Sequence, residues 1–179
     1  TAELQHILKS GDHTTIVGAR YQTGEFATRN VMPRSVLLPA TSDAFETEFE
    51  RISAYGYHHW QLLAPLRLIA GVSYDRVGFP ENFRSPPVSG GHASEDQVSP
   101  KAGLIWTPWA DTVVRAAYTH SLGGVSIDQS FQLEPAQVAG FVHTYRSVIP
   151  ESVAGPASAA RHRIWGLALD QKFPTHTYL

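Results

Sequence analysis

The stretch from Trp60 to Asp75 reads WQLLAPLRLIAGVSYD, and its second half alternates with a period of two, as a β-strand does. One side of this strand would be apolar or aromatic throughout, with Leu66, Leu68, Ala70, Val72 and Tyr74. The opposite side would carry Arg67, Ile69, Gly71, Ser73 and Asp75. An apolar side backed by a side that accepts charges is typical of a strand placed between lipid and water.

The composition narrows the class of protein. Hydrophobic residues make up 42% of the 179 residues and charged residues 17%, against about 25% charged in a typical soluble domain. The net charge of −2 comes from interspersed acidic and basic residues, so no basic block indicates a nucleic-acid partner. The absence of cysteine excludes disulfides and thiolate metal sites. No apolar run is long enough to predict a membrane-spanning helix.

The same period of two recurs along the chain and predicts seven strands, with an eighth beginning at Thr177. The seven strands run from Ala2 to Lys9, His13 to Gly24, Phe49 to Leu62, Leu66 to Val77, Pro100 to Thr107, Thr112 to Ser121, and His162 to Phe173.

The connections between the predicted strands alternate in length. Short turns follow the first, third, fifth and seventh strands, whereas residues 25–48, 78–99 and 122–161 form long connections. Long loops are uncommon in compact domains, where the median is about 4–6 residues. Short turns on one rim and long loops on the other are how outer-membrane barrels are built. We therefore predict an all-β fold, an antiparallel up-and-down transmembrane β-barrel segment.

Strand length and side-chain placement fit this prediction. A strand of about 10 residues, tilted near 40°, covers about 25 Å of height, which matches the apolar band of such barrels. Aromatic residues near the predicted strand ends would form the interfacial girdles: Trp60, Tyr74, Trp106, Trp109 and Tyr118. The charged residues on the other side of the strands are the candidates for a polar lumen: Arg20, Arg67, Asp75, Lys101, Arg115 and Asp170.

Several motifs resemble the barrel of TonB-dependent outer-membrane receptors. SAYGYHHWQL at residues 53–62, followed by LRLIAGVSYD, is similar to that family's tyrosine-rich strand, tight turn and L-x-L-x-x-G-x-R-Y-D strand. Ser73 stands where arginine is usual, and His58-His59 stand where acidic residues are commoner. SPKAGLIWTP at residues 99–108 and VRAAYTHS at residues 114–121 resemble the next hairpin of that family. Leu133-Glu134-Pro135 loosely resembles an L-x-P-E segment.

The resemblance implies a function and partners. It implies a bacterial outer-membrane location and, instead of catalysis, uptake of a scarce solute such as a metal chelate or a glycan. Outer-membrane lipid, a plug domain and an energy-coupling protein would be the partners, and the long loops would capture the solute. No plug domain is recognisable in the sequence, so we expect residues 1–179 to be one part of a single barrel domain, truncated at both ends.

Two alternatives remain open at this point. One is a passive or export barrel of the same architecture, for example one linked to helical repeats. The other is a soluble all-β binding or adhesin domain, which would explain the period of two equally well.

Other patterns are less informative, and we expect no metal, cofactor or catalytic residue from them. His58 and His59 are adjacent and would point to opposite sides of a strand, whereas His92, His143 and His162 would lie in or beside long loops. His120-Ser121 near Asp128 lacks the G-x-S-x-G context of a nucleophile. Gly90-Gly91 and Gly123-Gly124 lack the lysine and helix of a phosphate-binding loop, and we interpret them as flexible loop glycines.

Overall fold

The fold is a single antiparallel β-sheet with a small hairpin packed on one side. A computed structural model describes residues 1–33, 40–82, 89–123, 132–143, 159–175 and 177. The strands are β1 (Ala2–Ser10), β2 (His13–Met32), β3 (Thr41–Leu63), β4 (Leu66–Asn82), β5 (Ser89–Trp109), β6 (Thr112–Leu122), β7 (Gln137–Val138), β8 (Phe141–Val142) and β9 (Arg161–Gln171).

Neighbours in sequence are also neighbours in the large sheet. Its seven strands follow the order β1-β2-β3-β4-β5-β6-β9, and all its pairs are antiparallel. The second sheet is the β7–β8 hairpin. This confirms the predicted up-and-down arrangement of seven strands. The start of an eighth strand lies mostly outside the described residues, although the Phe173 N–H donates to the Thr177 carbonyl at 2.9 Å.

Two of the three predicted long connections are mostly strand, which corrects the sequence-based boundaries. β2 and β3 pair from His13↔Trp60 to Met32↔Thr41, which covers most of residues 25–48. β4 and β5 pair through Gly78↔Ser94 and Phe79↔Ala93, within the predicted loop 78–99. Gly90-Gly91 therefore belongs to β5 and not to a flexible loop. These extensions were missed because polar residues such as Glu25 and Glu48 replace the apolar alternation there.

Direct cross-strand pairs share a face, so the register divides the sheet into two faces with different chemistry. We call the face that the β7–β8 hairpin contacts the inner face, and its opposite the outer face. On the outer face of β4 and β9, Val72 is 48%, Leu167 80% and Leu169 52% exposed. The outer face of β4 stays apolar from Leu66 to Tyr74 and becomes charged at Arg76. No layer of the described residues covers it.

Exposed tryptophans mark the rim with the short turns. Trp60 is 39%, Trp106 44% and Trp109 70% exposed, and all three lie beside the β3–β4 or β5–β6 turn. Tyr118 lies within β6 and packs on Trp165, with ring centroids 4.4 Å apart. In the described part of the chain, no helix is long and apolar enough to cross a membrane.

Part of the third long connection, residues 122–161, folds back onto the inner face. Residues 132–143, which we call the inner hairpin, contain β7 and β8 joined by a turn at Ala139 and Gly140. Both turn residues have positive φ, 51° and 88°, as a two-residue hairpin turn with this twist requires. The remainder of this connection, residues 124–131 and 144–158, lies outside the described residues.

Candidate functional site on the inner face

All six charged residues predicted for a polar lumen lie on the inner face. Arg20, Asp75 and Lys101 are buried there. Arg67, Arg115 and Asp170 lie toward the rim with the short turns and are more accessible. The register places Arg20 and Asp75 on one row through Ser53, whereas Lys101 lies opposite Gly71, four residues along β4 from Asp75. The six residues thus form two groups: a buried group (Arg20, Asp75 and Lys101) and a group near the rim (Arg67, Arg115 and Asp170).

The buried group centres on an ion pair between Arg51 and Asp75. The Arg51 Nη2 donates to Asp75 Oδ1 at 2.8 Å, and the Arg51 Nε lies 3.2 Å from the same oxygen. Ser53 also donates its hydroxyl to Asp75 Oδ1 at 2.6 Å, and Arg51 donates to the Leu122 carbonyl at 3.0 Å. Both charged side chains are almost fully buried. Such a pair keeps its geometry because separating buried charges is costly.

Lys101 extends this network to the next strand. Its Nζ donates to the Ser73 hydroxyl at 2.6 Å and to the Ser99 carbonyl at 3.3 Å. Ser73 in turn donates toward Asp75 Oδ2 at 3.4 Å. The Lys101 ammonium also lies 5.6 Å from the centre of the Tyr57 ring, within reach of a cation–π interaction. A continuous polar chain therefore crosses β3, β4 and β5.

Glu134 of the inner hairpin joins this polar chain from above the sheet. The Tyr57 hydroxyl donates to Glu134 Oε1 at 2.9 Å, and His143 Nε2 lies 3.4 Å from the same hydroxyl. The Arg20 Nη2 lies 3.9 Å from Glu134 Oε2, at the outer limit of an ion pair. None of the three guanidinium nitrogens of Arg20 forms a hydrogen bond with the described residues. Arg20 is therefore a buried cation with unused donors.

Glu3 of β1 holds the backbone of the inner hairpin. Its carboxylate accepts the Leu133 N–H at 3.0 Å, the Glu134 N–H at 3.1 Å and the Tyr55 hydroxyl at 3.1 Å. Gln5 donates from its side chain to the Leu133 carbonyl at 2.5 Å. The contacts to Leu133 and Glu134 connect residues about 130 positions apart in sequence, so they fix where the hairpin sits on the sheet.

Glycines provide the space that the inner hairpin occupies. A Cβ added to Gly103 would lie 2.7 Å from Val138 Cγ1, and one added to Gly166 would meet the Phe141 ring at about 2.5 Å. Residues with side chains at these positions would separate the hairpin from the strands, since well-packed atoms do not approach so closely. The small residues of β5 and β9 thus form the floor under Val138 and Phe141.

The group near the rim is more solvated. Arg115 and Asp170 form a two-point ion pair, with distances of 2.8 Å and 2.9 Å, and both side chains remain partly exposed. The Arg67 Nε donates to Gln61 Oε1 at 2.9 Å. Water competes with such contacts, so they contribute less to stability than the buried pair does.

The histidines do not assemble into a metal centre within the described residues, where no group of three or more His, Cys, Asp or Glu could hold an ion. His58 lies on the outer face and contacts Thr15 and His13 at 2.9 Å and 3.1 Å, whereas His59 lies on the inner face. His92 contacts the Glu48 carbonyl, and His143 packs on Tyr57. Asp128 and Gly124, named with His120-Ser121 and Gly123, lie outside the described residues.

Sequence analysis missed three charged residues of the site, namely Arg51, Glu3 and Glu134. The period of two could have placed Arg51 and Glu3 on the inner face. Arg51 is separated from Tyr55 by an even number of residues along β3, and Glu3 from Gln5 along β1, so each pair lies on the same face of its strand. No periodic pattern predicts the position of Glu134, because this residue lies in an irregular segment that contacts the sheet only in the folded protein.

An uncovered apolar face, a polar inner face and hairpins joined by short turns on one rim together define the wall of an outer-membrane β-barrel. The family model "TonB dependent receptor-like, beta-barrel" matches residues 1–149. The chain therefore belongs to the TonB-dependent receptor β-barrel family, as its motifs indicated, and is part of a bacterial outer-membrane barrel.

A solved structure supports the fold. The chain is similar to "Copper transporter OprC" with a TM-score of 0.60 and 14% sequence identity, over 96% of this chain and 28% of that one. At this identity the likeness concerns the fold alone. The chain spans less than a third of the length of the matched structure. A search of curated proteins found no significant match.

Proposed function

We propose that this chain forms part of the wall of an outer-membrane transporter that takes up a scarce solute, such as a metal chelate or a glycan. The observation that carries the proposal is the pairing of an apolar outer face with a charged inner face in one family-matched sheet. In this proposal the inner face lines a lumen, the chain performs no catalysis, and no cofactor is bound.

The inner face would contact either the solute or a plug domain. Arg20 supports this role, because its buried guanidinium retains donors that no described residue uses. A buried cation without hydrogen bonds is costly, so an incoming carboxylate, hydroxyl or backbone carbonyl would be stabilised there. The inner hairpin already supplies one such group, the Glu134 carboxylate at 3.9 Å.

Energy coupling is the second part of the proposal. A solute that is scarce outside the cell must be moved against its gradient, and the outer membrane holds no energy source of its own. The family resemblance therefore implies an energy-coupling protein as a partner. A passive or export barrel would share the architecture described above and would differ in this dependence.

The test is uptake by the natural full-length protein in a bacterial host that lacks its own high-affinity outer-membrane transporters. Labelled copper salts, iron chelates and oligosaccharides would be offered at submicromolar concentration, with and without a protonophore. We expect accumulation of one solute class that the protonophore abolishes. Accumulation that persists with the protonophore would show a passive barrel, and accumulation of no solute above the empty-vector host would contradict the uptake proposal.

An inner-face variant links that uptake to the site. Arg20→Gln removes the buried cation, whereas Arg29→Gln removes an exposed cation from the far part of β2. We expect the first variant to lower uptake by about tenfold, the equivalent of one charge-assisted hydrogen bond, and the second to leave uptake unchanged. Equal uptake by the two variants, at equal amounts of folded protein in the membrane, would remove Arg20 from the proposed site.

A further inference from the structure

A polar pocket lies on the inner face at the rim with the short turns. Its volume is about 450 Å³, within the range of about 300–1,000 Å³ that is usual for small-molecule sites. The lining residues come from β1, the β1–β2 turn, β2, β3 and β4, namely Lys9, Gly11, Asp12, Thr14, Ile16, His59, Gln61 and Arg67. We call this site the rim pocket.

The register places the rim pocket between two cations. One row of the sheet is Lys9↔Thr14↔His59, and Gln61↔Arg67 is the next pair toward the β3–β4 turn. Lys9 is on β1 and Arg67 on β4, so three strand spacings of about 4.8 Å, or about 14 Å in all, separate their backbones. The two cations therefore reach the pocket from opposite sides, and Thr14 and His59 lie on the strands between them.

Both cations are available to a ligand. Lys9 and Arg67 form no ion pair with a carboxylate in the described part of the chain. The Arg67 Nε donates to Gln61, which leaves the two Nη groups free of described partners. Asp12 is the acidic residue of the lining and opposes anion binding. Its backbone carbonyl accepts the Gln61 N–H at 2.8 Å, which attaches the β1–β2 turn to β3.

We propose that the rim pocket binds a small organic anion with two or more carboxylates, one held by Lys9 and another by Arg67. A guanidinium group binds a carboxylate through two parallel hydrogen bonds. Holding both long side chains over one carboxylate would cost more conformational entropy than contacting two separated groups. The placement of the cations on opposite sides therefore favours a polycarboxylate over a monocarboxylate.

The place of the rim pocket in transport rests on the proposed function. The short turns of bacterial barrels face the periplasm, so an anion that entered from outside would reach this pocket after crossing the lumen. The rim pocket is then an exit-side site for an anionic solute. Binding of the anion does not itself require transport, so the two can be tested separately.

The test measures binding to the natural full-length protein in a non-ionic detergent by isothermal titration calorimetry. The probes are tricarballylate, its uncharged trimethyl ester, and acetate as a monocarboxylate. Lys9→Gln and Arg67→Gln each remove one cation from the rim pocket. The matched control is Lys172→Gln, because Lys172 is an exposed cation just beyond β9 that does not line the pocket.

We expect the natural protein and the control to bind tricarballylate with equal affinity, and each pocket variant to bind it about tenfold more weakly. The ester and acetate should bind the natural protein at least about tenfold more weakly than tricarballylate does. Asp12→Asn removes the opposing acid and should strengthen tricarballylate binding about twofold to fivefold. A gain of this kind cannot come from a loss of folding, so the test stays decisive if a pocket variant does not fold.

Three results would overturn the rim pocket as an anion site: no binding of tricarballylate by the natural protein, equal binding by the pocket variants and the control, or acetate binding as tight as tricarballylate binding. Uptake of a solute by a protein that does not bind tricarballylate would remove the rim pocket and leave the proposed function intact. Tricarballylate binding by a protein that takes up no solute would support the site and contradict the proposed function.

Discussion

The two faces of this sheet are built from alternate residues of the same strands, yet they are stabilised in opposite ways. On the inner face, buried charges are held by specific partners, as in the Arg51–Asp75 pair at 2.8 Å. On the outer face, residues such as Leu167 pack against little of the described part of the chain and remain 80% exposed. The stability of the inner face thus depends on specific contacts within the chain, whereas the stability of the outer face depends on the surrounding lipid.

Removal of one charge from the buried Arg51–Asp75 pair should destabilise the protein more than any other change considered below. Asp75→Asn leaves Arg51 buried without a counter-charge, which costs about 3–5 kcal/mol in comparable buried pairs. We expect a corresponding decrease in the denaturant midpoint of the natural full-length protein in lipid vesicles, followed by the loss of β-sheet signal. The double variant Asp75→Asn/Arg51→Met removes both charges and should recover most of the stability. A double variant as unstable as the single one would mean that the pair itself is not the cause.

The outer face should respond to an added charge. Ala70 lies in the middle of the apolar run of β4 from Leu66 to Tyr74, so Ala70→Arg would place a cation in hydrocarbon, at a cost of about 2–4 kcal/mol. The control is Thr14→Arg on the inner face, beside Lys9 and His59. The same vesicle measurement should show a large loss for the first variant and little for the second. Similar losses would indicate that the outer face does not contact lipid.

How far the sequence predicts this structure differs between the two faces. The outer face follows from the period of two, because apolar side chains in lipid need no particular partner and Leu66, Leu68 and Val72 identify it by type alone. The side of the sheet on which Arg20, Asp75 and Lys101 lie also follows from the period. Their partners do not, because the contact between Glu134 and Tyr57 joins residues 77 positions apart. Beyond the apolar band the outer face becomes polar and the period disappears, which is why the extensions of β2 and β5 were missed.

One glycine on each face tests whether tight packing is confined to the inner face. Gly103→Ala on the inner face would bring a methyl group to 2.7 Å from Val138, whereas Gly56→Ala on the outer face would meet only Val17 at 3.8 Å. We expect the first change to cost about 1–3 kcal/mol through overpacking and to displace the inner hairpin. Hydrogen exchange should become faster at the amides of residues 132–143 and stay unchanged in the paired strands. Gly56→Ala should leave both regions as they are, and faster exchange throughout the sheet in Gly103→Ala would indicate a general loss of stability instead.

The smallest effect is expected for the ion pair near the rim, and it tests whether burial or geometry determines the value of a charge on the inner face. Arg115 and Asp170 have better two-point geometry than Arg51 and Asp75, with distances of 2.8 Å and 2.9 Å against 3.2 Å and 2.8 Å. Their side chains are 29% and 50% exposed, so water can replace either partner. Asp170→Asn should therefore cost no more than about 1 kcal/mol, and the cost should decrease further with added salt, because exposed charges are screened. If Asp170→Asn lowered the denaturant midpoint as much as Asp75→Asn, the geometry of the pair would outweigh its burial.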